Sequence, residues 1–447
     1  METTIAPIRL LHWTRWFNSV IFEGKDKPIE DECLPPEGYQ VNLTHASSWC
    51  TITSNQTEAS TADALIFHAA DYTFENTPKR KGQPWILYTL ESPLTAPFRT
   101  DPRFMTKFDY LASYHQKSQY FFTYFAPAVM DVANRPLPTD FMRRKSKQAP
   151  ILWIAKNCQA SSGREQYIAE LMKYVNVDSY GECLNNKPFP DDKTREQLMA
   201  EYKFYLAAEN ANCEDYVTEK LADTLKLSAV PIIDGPSSYN GYLPNERSAI
   251  RMDAYPDPRD LAAYIHFLDT HDDAYLAYLK HRQDALFKSP TDRLDPLFVS
   301  LWSDQTAHDY RVSWCSICRH MASTWPSRHT TNYLHVDEQK TSHNQDGRFL
   351  IDSTCMAEGK WSYASSGPPY DTFSWTPTPK DEFAYHLDDD TTNNNDIPPT
   401  NVSTLQDRIG MLVLVSLGVA AIGFLVYTIY RQTIKYRRYR KQDSSPI

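Results

Sequence analysis

The sequence predicts an α/β protein built as two domains. Short apolar runs rich in β-branched and aromatic residues alternate with amphipathic helical patterns, the signature of that class. A length of 447 residues holds two domains of ordinary size. A polar hinge, Arg143 to Gln148, falls between them.

The first domain, residues 1–148, carries apolar strands at Asp63–Phe67 and Trp85–Thr89, with a further candidate at Phe121–Phe125. The second, residues 149–321, opens on the strand Ile151–Ala155. A helix over Arg164–Val175 follows, its Tyr167, Ile168, Leu171, Met172 and Val175 forming one stripe. Next comes KFYLAAENANCEDYVTEKLADTLKLSAVPIIDGP, Lys203 to Pro236. It reads as a strand at Phe204–Ala208, a polar turn, a helix, and a strand at Ala229–Ile233. Asp215 is expected to cap a helix that starts near Tyr216. Helices over Arg259–Asp269 and Asp273–Gln283 complete the domain.

A strand–helix–strand unit sets a helix N-terminus beside strand ends, where backbone N–H groups favour an anion. At helical spacing Tyr216, Glu219 and Lys220 share one face. By periodicity alone that face reads first as a solvated Glu/Lys pair and second as a contact for a sugar nucleotide.

Residues 322–408 lose periodicity and become polar and proline-rich, as expected of a stem, with Trp361, Tyr363 and Trp375 as docking points. Residues 409–430 carry no charged side chain and suit a transmembrane helix. The basic tail 431–447 follows, so the positive-inside rule places the C-terminus in the cytosol and the domains in a lumen. METTIAPIRLLHWTRWF has no signal-like pattern. The expectation is a truncated start, or targeting by the last helix alone.

A formal charge of −10 argues against a nucleic-acid partner. Sequons at Asn42, Asn55 and Asn401 and eight cysteines fit a lumenal setting. Cys33 with Cys50, and Cys315 with Cys318, are the expected disulfides. CSICRH also offers two thiolates and a histidine to zinc, although a lone CxxC is thin support. Cys158, Cys183, Cys213 and Cys355 stay unassigned.

ENANCEDYVTEKL followed by AVPIIDGP resembles the donor-binding signature of the alpha-1,3-fucosyltransferases, glycosyltransferase family 10. The likeness runs from about Leu10 to Cys318 and includes WILYTLESPL, FDYLASYHQKSQYFFTYF, ILWIAKNC and VDSYGECLNN. It implies a GT-B arrangement, two Rossmann-like domains facing across a cleft, and inverting transfer of L-fucose from GDP-β-L-fucose. No metal or cofactor is implied.

By the same resemblance Glu91, in the ESP motif, is the catalytic base; read alone it is a turn residue or a solvated carboxylate. Lys220 of TEK and Arg164 match the cations for the leaving diphosphate. Asn157, Asn210, Tyr216 and Glu219 match donor contacts, with Glu209 and Tyr205 in support. Ala208, Ser228–Ala229 and Asp234 depart from the family pattern beside the donor pocket.

The core-N-glycan branch and the divergent branch resembling protein O-fucosyltransferases look most similar. The expected acceptor is GlcNAc of a glycoprotein N-glycan, with a protein Ser/Thr hydroxyl second and an inactive carbohydrate-binding descendant third. The expected location is the Golgi membrane with the catalytic domain lumenal, or else the endoplasmic reticulum membrane.

Overall fold

Most of the apolar runs become strands; the candidate at Phe121–Phe125 does not, and pairing there is confined to Tyr120–Phe121. The computed structural model describes residues 7–370 apart from 24–26, 30–32, 40, 42–47, 74–76, 78–79, 126–127, 283–292, 304–312 and 330–354. Ile8–His12 (β1), Lys27–Pro28 (β2), Cys50–Thr53 (β3), Ala64–His68 (β4), Trp85–Thr89 (β5), Tyr110–Ser113 (β6) and Tyr120–Phe121 (β7) form a seven-stranded sheet. Its order is β2-β3-β1-β4-β5-β6-β7, and only the β2–β3 pair is antiparallel. Along β4, Ala64 and Ile66 enter one apolar cluster while Leu65 and Phe67 enter another. Successive side chains point to opposite faces, so a parallel sheet buried on both sides reads as an unbroken apolar run.

Ile151–Ala155 (β8), Val177–Gly181 (β9), Phe204–Ala208 (β10), Val230–Asp234 (β11) and Ile250–Arg251 (β12) form a five-stranded, all-parallel sheet ordered β12-β11-β10-β8-β9. Ile151, Trp153, Phe204 and Leu206 pack on one side with residues of the helices Arg164–Leu171 and Pro258–Thr270. Leu152, Tyr205 and Ala207 pack on the other with Leu221 and Leu225 of the helix Glu219–Leu227. Because β9 and β10 leave β8 in opposite directions, a crevice opens between β8 and β10 at their C-terminal ends.

Two domain boundaries expected from sequence are corrected. The helix Trp314–His329 does not close the second domain. Its Cys315, Ile317, Cys318 and Met321 share a core with Ile8, Leu10, Cys50 and Ile52 of the first sheet. The expected disulfides are corrected with it: Cys33 pairs with Cys315 and Cys50 with Cys318. Cys315 and Cys318 stand three apart on a helix and so share one face. That face turns both thiols toward the sheet, where Cys33 and Cys50 wait. Cys158 pairs with Cys183 and Cys213 with Cys355, so no cysteine among the described residues is left for zinc.

The second correction concerns the stem. Residues 355–370 belong to the second domain, with Trp361 fully buried among Tyr167, Leu171 and Ile265. Polar composition hid this, because one tryptophan and one disulfide anchor the segment rather than an apolar run.

The chain divides into two compact units, Met1–Asp388 and Asp389–Ile447, and every described residue belongs to the first. Asn42, Asn401, Trp375, the apolar run 409–430 and the tail 431–447 lie outside the described residues. Among the described residues no helix is long and apolar enough to cross a membrane. Asn55 is exposed, and its side chain caps the short turn Gln56–Glu58.

Candidate active site

The residues expected on the donor side gather where β8 and β10 diverge. Arg164, 2% exposed, plugs that crevice: Nη1 donates to Ala208 O at 2.6 Å and Nη2 to Asn157 O at 3.0 Å. Its fork ties the ends of two neighbouring strands together and is committed to backbone carbonyls, with Nε on Glu165 at 3.3 Å. Asn157 itself is exposed, its Oδ1 accepting from Gln159 N at 3.0 Å. Tyr205 lies inside the sheet, its hydroxyl toward Ile154 O at 3.5 Å.

Past β10 the expected helix start is corrected. Asp215 has φ 60°, and Thr218 caps the helix Glu219–Leu227 in its place. Tyr216 therefore precedes the helix and shares no helical face with Glu219 and Lys220. The cause is the Glu209 carboxylate, 1% exposed. It accepts from Thr218 N at 2.8 Å, from Thr218 Oγ1 at 2.8 Å and from Lys220 Nζ at 3.0 Å. A buried carboxylate at the helix N-terminus takes the donors a capping Asp215 would have satisfied.

Lys220 also reaches Glu219, whose side chain is 44% exposed, at 3.3 Å. Burial alone would lower the Lys220 ammonium, but Glu209 and Glu219 outweigh it and hold the group charged above the ordinary lysine range. Gly235 packs against this pair: a Cβ there would stand 2.8 Å from Tyr239 Oη and 3.1 Å from Glu209 Cγ. Asn210 Oδ1 and Asn212 Oδ1 are buried with no hydrogen-bond partner among the described residues. A buried acceptor without a donor is a rare arrangement in folded proteins and suits a ligand hydroxyl.

Glu91 leaves the end of β5, its own carbonyl held by Arg99 Nη1 at 2.8 Å and its amide by Thr89 Oγ1 at 3.0 Å. Its carboxylate faces the other domain. Tyr216 Oη donates to Oε2 at 3.3 Å, and Tyr124 Oη approaches Oε1 at 3.5 Å. Burial first and the Glu91 charge second push both phenols above their ordinary range, so both remain protonated donors. Tyr114 packs edge-on to Tyr216 at 5.0 Å, and Gln116 N donates to Asp215 Oδ2 at 3.0 Å. The C-terminal edges of the two sheets thus meet with Glu91 on the seam.

One histidine–carboxylate cluster among the described residues, His115 with Glu214 and Asp215, also lies on that seam. His115 Nδ1 accepts from Lys117 N at 3.1 Å, and Asp215 is engaged by Gln116. These atoms clasp the two domains.

A second feature sits at the C-terminal ends of β1 and β4. Trp16 and Ser19 close a tight turn in which Phe17 has φ 44° and Asn18 φ 64°. Two successive non-glycine residues in left-handed conformation are strained. Asp71 holds them: Oδ2 accepts from Phe17 N at 2.7 Å and Oδ1 from Asn18 N at 3.0 Å. His68 bonds Asp71 at 2.6 Å and stacks on Trp16 with ring centroids 4.7 Å apart. The turn presents Phe17, 51% exposed, beside a cavity of about 270 Å³ lined by Trp13, Arg15, Gln56 and Tyr72 among others.

A model of the glycosyltransferase family 10 (fucosyltransferase) C-terminal region matches residues 144–337. A model of the fucosyltransferase N-terminal region matches residues 7–125. The chain belongs to glycosyltransferase family 10. It is 36% identical over 233 residues to GDP-fucose protein O-fucosyltransferase 3 of Bos taurus, covering 48% of each chain. To the protein of that name from Gallus gallus it is 33% identical over 258 residues, covering 54% of each. The chain spans about half the length of the curated relatives it matches. It is also similar to a crystal structure of an alpha1,3-fucosyltransferase with GDP. There the identity is 16% and the TM-score 0.45, over 74% of this chain and 93% of that one.

Within this family 10 chain, the structure brings Glu91, Tyr216, Glu209, Glu219 and Lys220 to one cleft, with Asn157 and Asn210 on the adjoining loops and Arg164 buried beneath them, bound to backbone carbonyls. Tyr205 stays apart, inside the sheet. Tyr124, Gln116, Asp71 and Lys360 were not found by sequence reasoning. FFTYF carried no signal for Tyr124 beyond its aromatic run. Lys360 was signalled indirectly, by a buried-strand position, Asp234, that holds an acid.

Proposed function

We propose that the chain transfers L-fucose from GDP-β-L-fucose to an acceptor hydroxyl in one in-line displacement with inversion. The acceptor oxygen bonds C1 of fucose, the C1–O bond to phosphate breaks, and GDP leaves with the electron pair. Glu91 takes the acceptor's proton. The observation that carries this reading is the 3.3 Å bond from Tyr216, on the donor loop, to the Glu91 carboxylate across the cleft. Lys220 meets the leaving diphosphate, a phosphate oxygen replacing Glu219 as its most exposed partner. The Asn210 acceptor takes a ribose or fucose hydroxyl. The Lys220 ammonium, fixed by Glu209, stabilises the charge that develops on the leaving group.

The acceptor approaches from the first domain, over the cavity beside Phe17, at the end of the sheet where β1 parts its neighbours β3 and β4. A serine or threonine hydroxyl of a protein is the leading acceptor, because the relatives named above are protein O-fucosyltransferases. GlcNAc of an N-glycan, first by sequence resemblance, becomes the second reading. Four disulfides support an oxidising compartment, with a Golgi or endoplasmic reticulum membrane as the site of action. The test is incubation of the full chain with GDP-fucose, a secreted-protein digest and an N-glycan acceptor, with products located by mass spectrometry. Fucose on Ser or Thr supports the proposal, fucose on GlcNAc supports the second reading, and no transfer to either contradicts both.

A further inference from the structure

The segment 355–363 crosses the C-terminal edge of the second sheet, over the two loops that carry the donor residues. Its backbone bonds to both: Met356 N donates to Asn212 O at 2.8 Å, Gly359 N to Ser161 O at 2.7 Å and Trp361 N to Ser162 O at 3.0 Å. Those loops are themselves joined at Ser162, whose N donates to Asn210 O at 3.0 Å and whose Oγ donates to Glu209 O at 2.9 Å. Cys355 adds a covalent tie to Cys213. Trp361 packs on Tyr167 at 4.6 Å. Close packing leaves no room at Gly163, φ 73°, where a Cβ would stand 3.1 Å from Ser362.

One charge dominates this crossing. Lys360 Nζ donates to Asp234 Oδ1 at 2.6 Å and also to Asp253, and its side chain is 3% exposed. Asp234 is fully buried at the end of β11. Its Oδ2 accepts from Asn212 Nδ2 at 3.0 Å, and the same amide reaches Gly235 O at 2.8 Å. Removing Lys360 would leave a buried carboxylate facing one neutral amide, a change that such a site relieves by moving. The side chain that shares the carboxylate with Lys360 is Asn212, in the turn that presents Glu209 and Asn210.

We propose that residues 355–363 are a strap that sets the donor pocket, with Lys360 as its positioning residue, acting through Asp234 and Asn212 on the 209–213 turn. The inference rests on the donor site proposed above. It explains why an acid stands at position 234, where the family resemblance leads one to expect none. It also means that the donor-binding unit does not end at Cys318: the chain returns to complete it.

The experiment uses the full chain, with GDP binding by calorimetry, steady-state transfer and thermal unfolding measured together. In Lys360→Met the Kd for GDP and the KM for GDP-fucose are expected to rise about tenfold, the scale of one lost charge-assisted hydrogen bond, with kcat changed less than about twofold. Lys360→Arg should recover part of the affinity, and Lys360→Met with Asp234→Asn should recover more, since the fully buried carboxylate is gone and Asp253 keeps its pair with Arg251. If Lys360→Met does not fold, Cys213→Ser with Cys355→Ser loosens the same strap and should raise the Kd in the same direction. Unchanged GDP affinity in folded variants, with only the melting temperature lowered, would overturn the strap while leaving the donor site standing. No GDP binding by the unaltered chain would overturn both.

Discussion

The C-terminal edge of the second sheet is held by charge, whereas that of the first is held by stacked rings and a strained turn. On the second, Glu209 with Lys220 and Asp234 with Lys360 are buried ionic pairs, and Arg164 spans two strand ends. On the first, Trp16 lies on His68 and Tyr88, and Asp71 fastens Phe17 and Asn18 by their amides. Paired charges at a crevice suit a nucleoside diphosphate, whose own charge must be met by fixed groups. A projecting aromatic beside a cavity suits a larger and less charged partner. The seam joins the two kinds of edge at Glu91.

The largest effect that would sharpen this contrast lies on the charged edge. Lys220→Met removes the cation proposed to face the leaving group and strips Glu209 of its cationic partner. Turnover is expected to fall about a hundredfold with GDP affinity also reduced, while acceptor KM stays unchanged; steady-state kinetics with each substrate varied in turn checks this. A loss confined to acceptor KM would reverse the assignment of the two edges.

A smaller effect is expected on the ring-held edge. Asp71→Asn keeps the size but weakens its hold on the Phe17 and Asn18 amides, which now make Asp71 more acidic: burial alone would raise it, and those amides with His68 outweigh burial. Acceptor KM should rise about five- to tenfold, with the KM for GDP-fucose unmoved. Equal changes for both substrates would show that the turn serves the whole fold rather than the acceptor.

The smallest effect is in stability. His12, buried among Trp16, Phe22 and Trp314, donates from Nδ1 to Thr14 O, and burial lowers its pKa to about 4. The unfolded chain takes up this proton below about 6.5 while the folded chain resists until about 4, so stability is full above the upper value and lost as pH falls between them. The upper bound is about 3 kcal/mol. Melting temperature measured from pH 7 to 5 should decline less steeply in His12→Gln. An unchanged slope would place the sensitivity elsewhere, for instance at His281, which burial lowers to about 3.

Most of the second sheet was legible in the sequence. Ile151–Ala155 and Phe204–Ala208 form as expected, because a strand buried on both faces needs an unbroken apolar run. Glu91 and Lys220 were singled out by resemblance alone, and their shared cleft follows from strand ends that sequence can place. The helix start was misjudged because Asp215 looks like a cap in isolation, while the actual competition comes from Glu209, nine residues before Thr218. Disulfide partners and the strap were illegible for a related reason. The strap and three of the four disulfides depend on a segment returning from far downstream, as Cys33–Cys315 does across a separation of 282 residues, and local pattern holds no record of such returns.

Glu91→Gln tests the central claim most directly, with GDP affinity and fucosyl transfer measured on the same preparation. Glu91 as the base on the seam requires GDP to bind as it does to the unaltered chain, while transfer falls by about a hundredfold to ten-thousandfold. Full transfer activity in Glu91→Gln would contradict it.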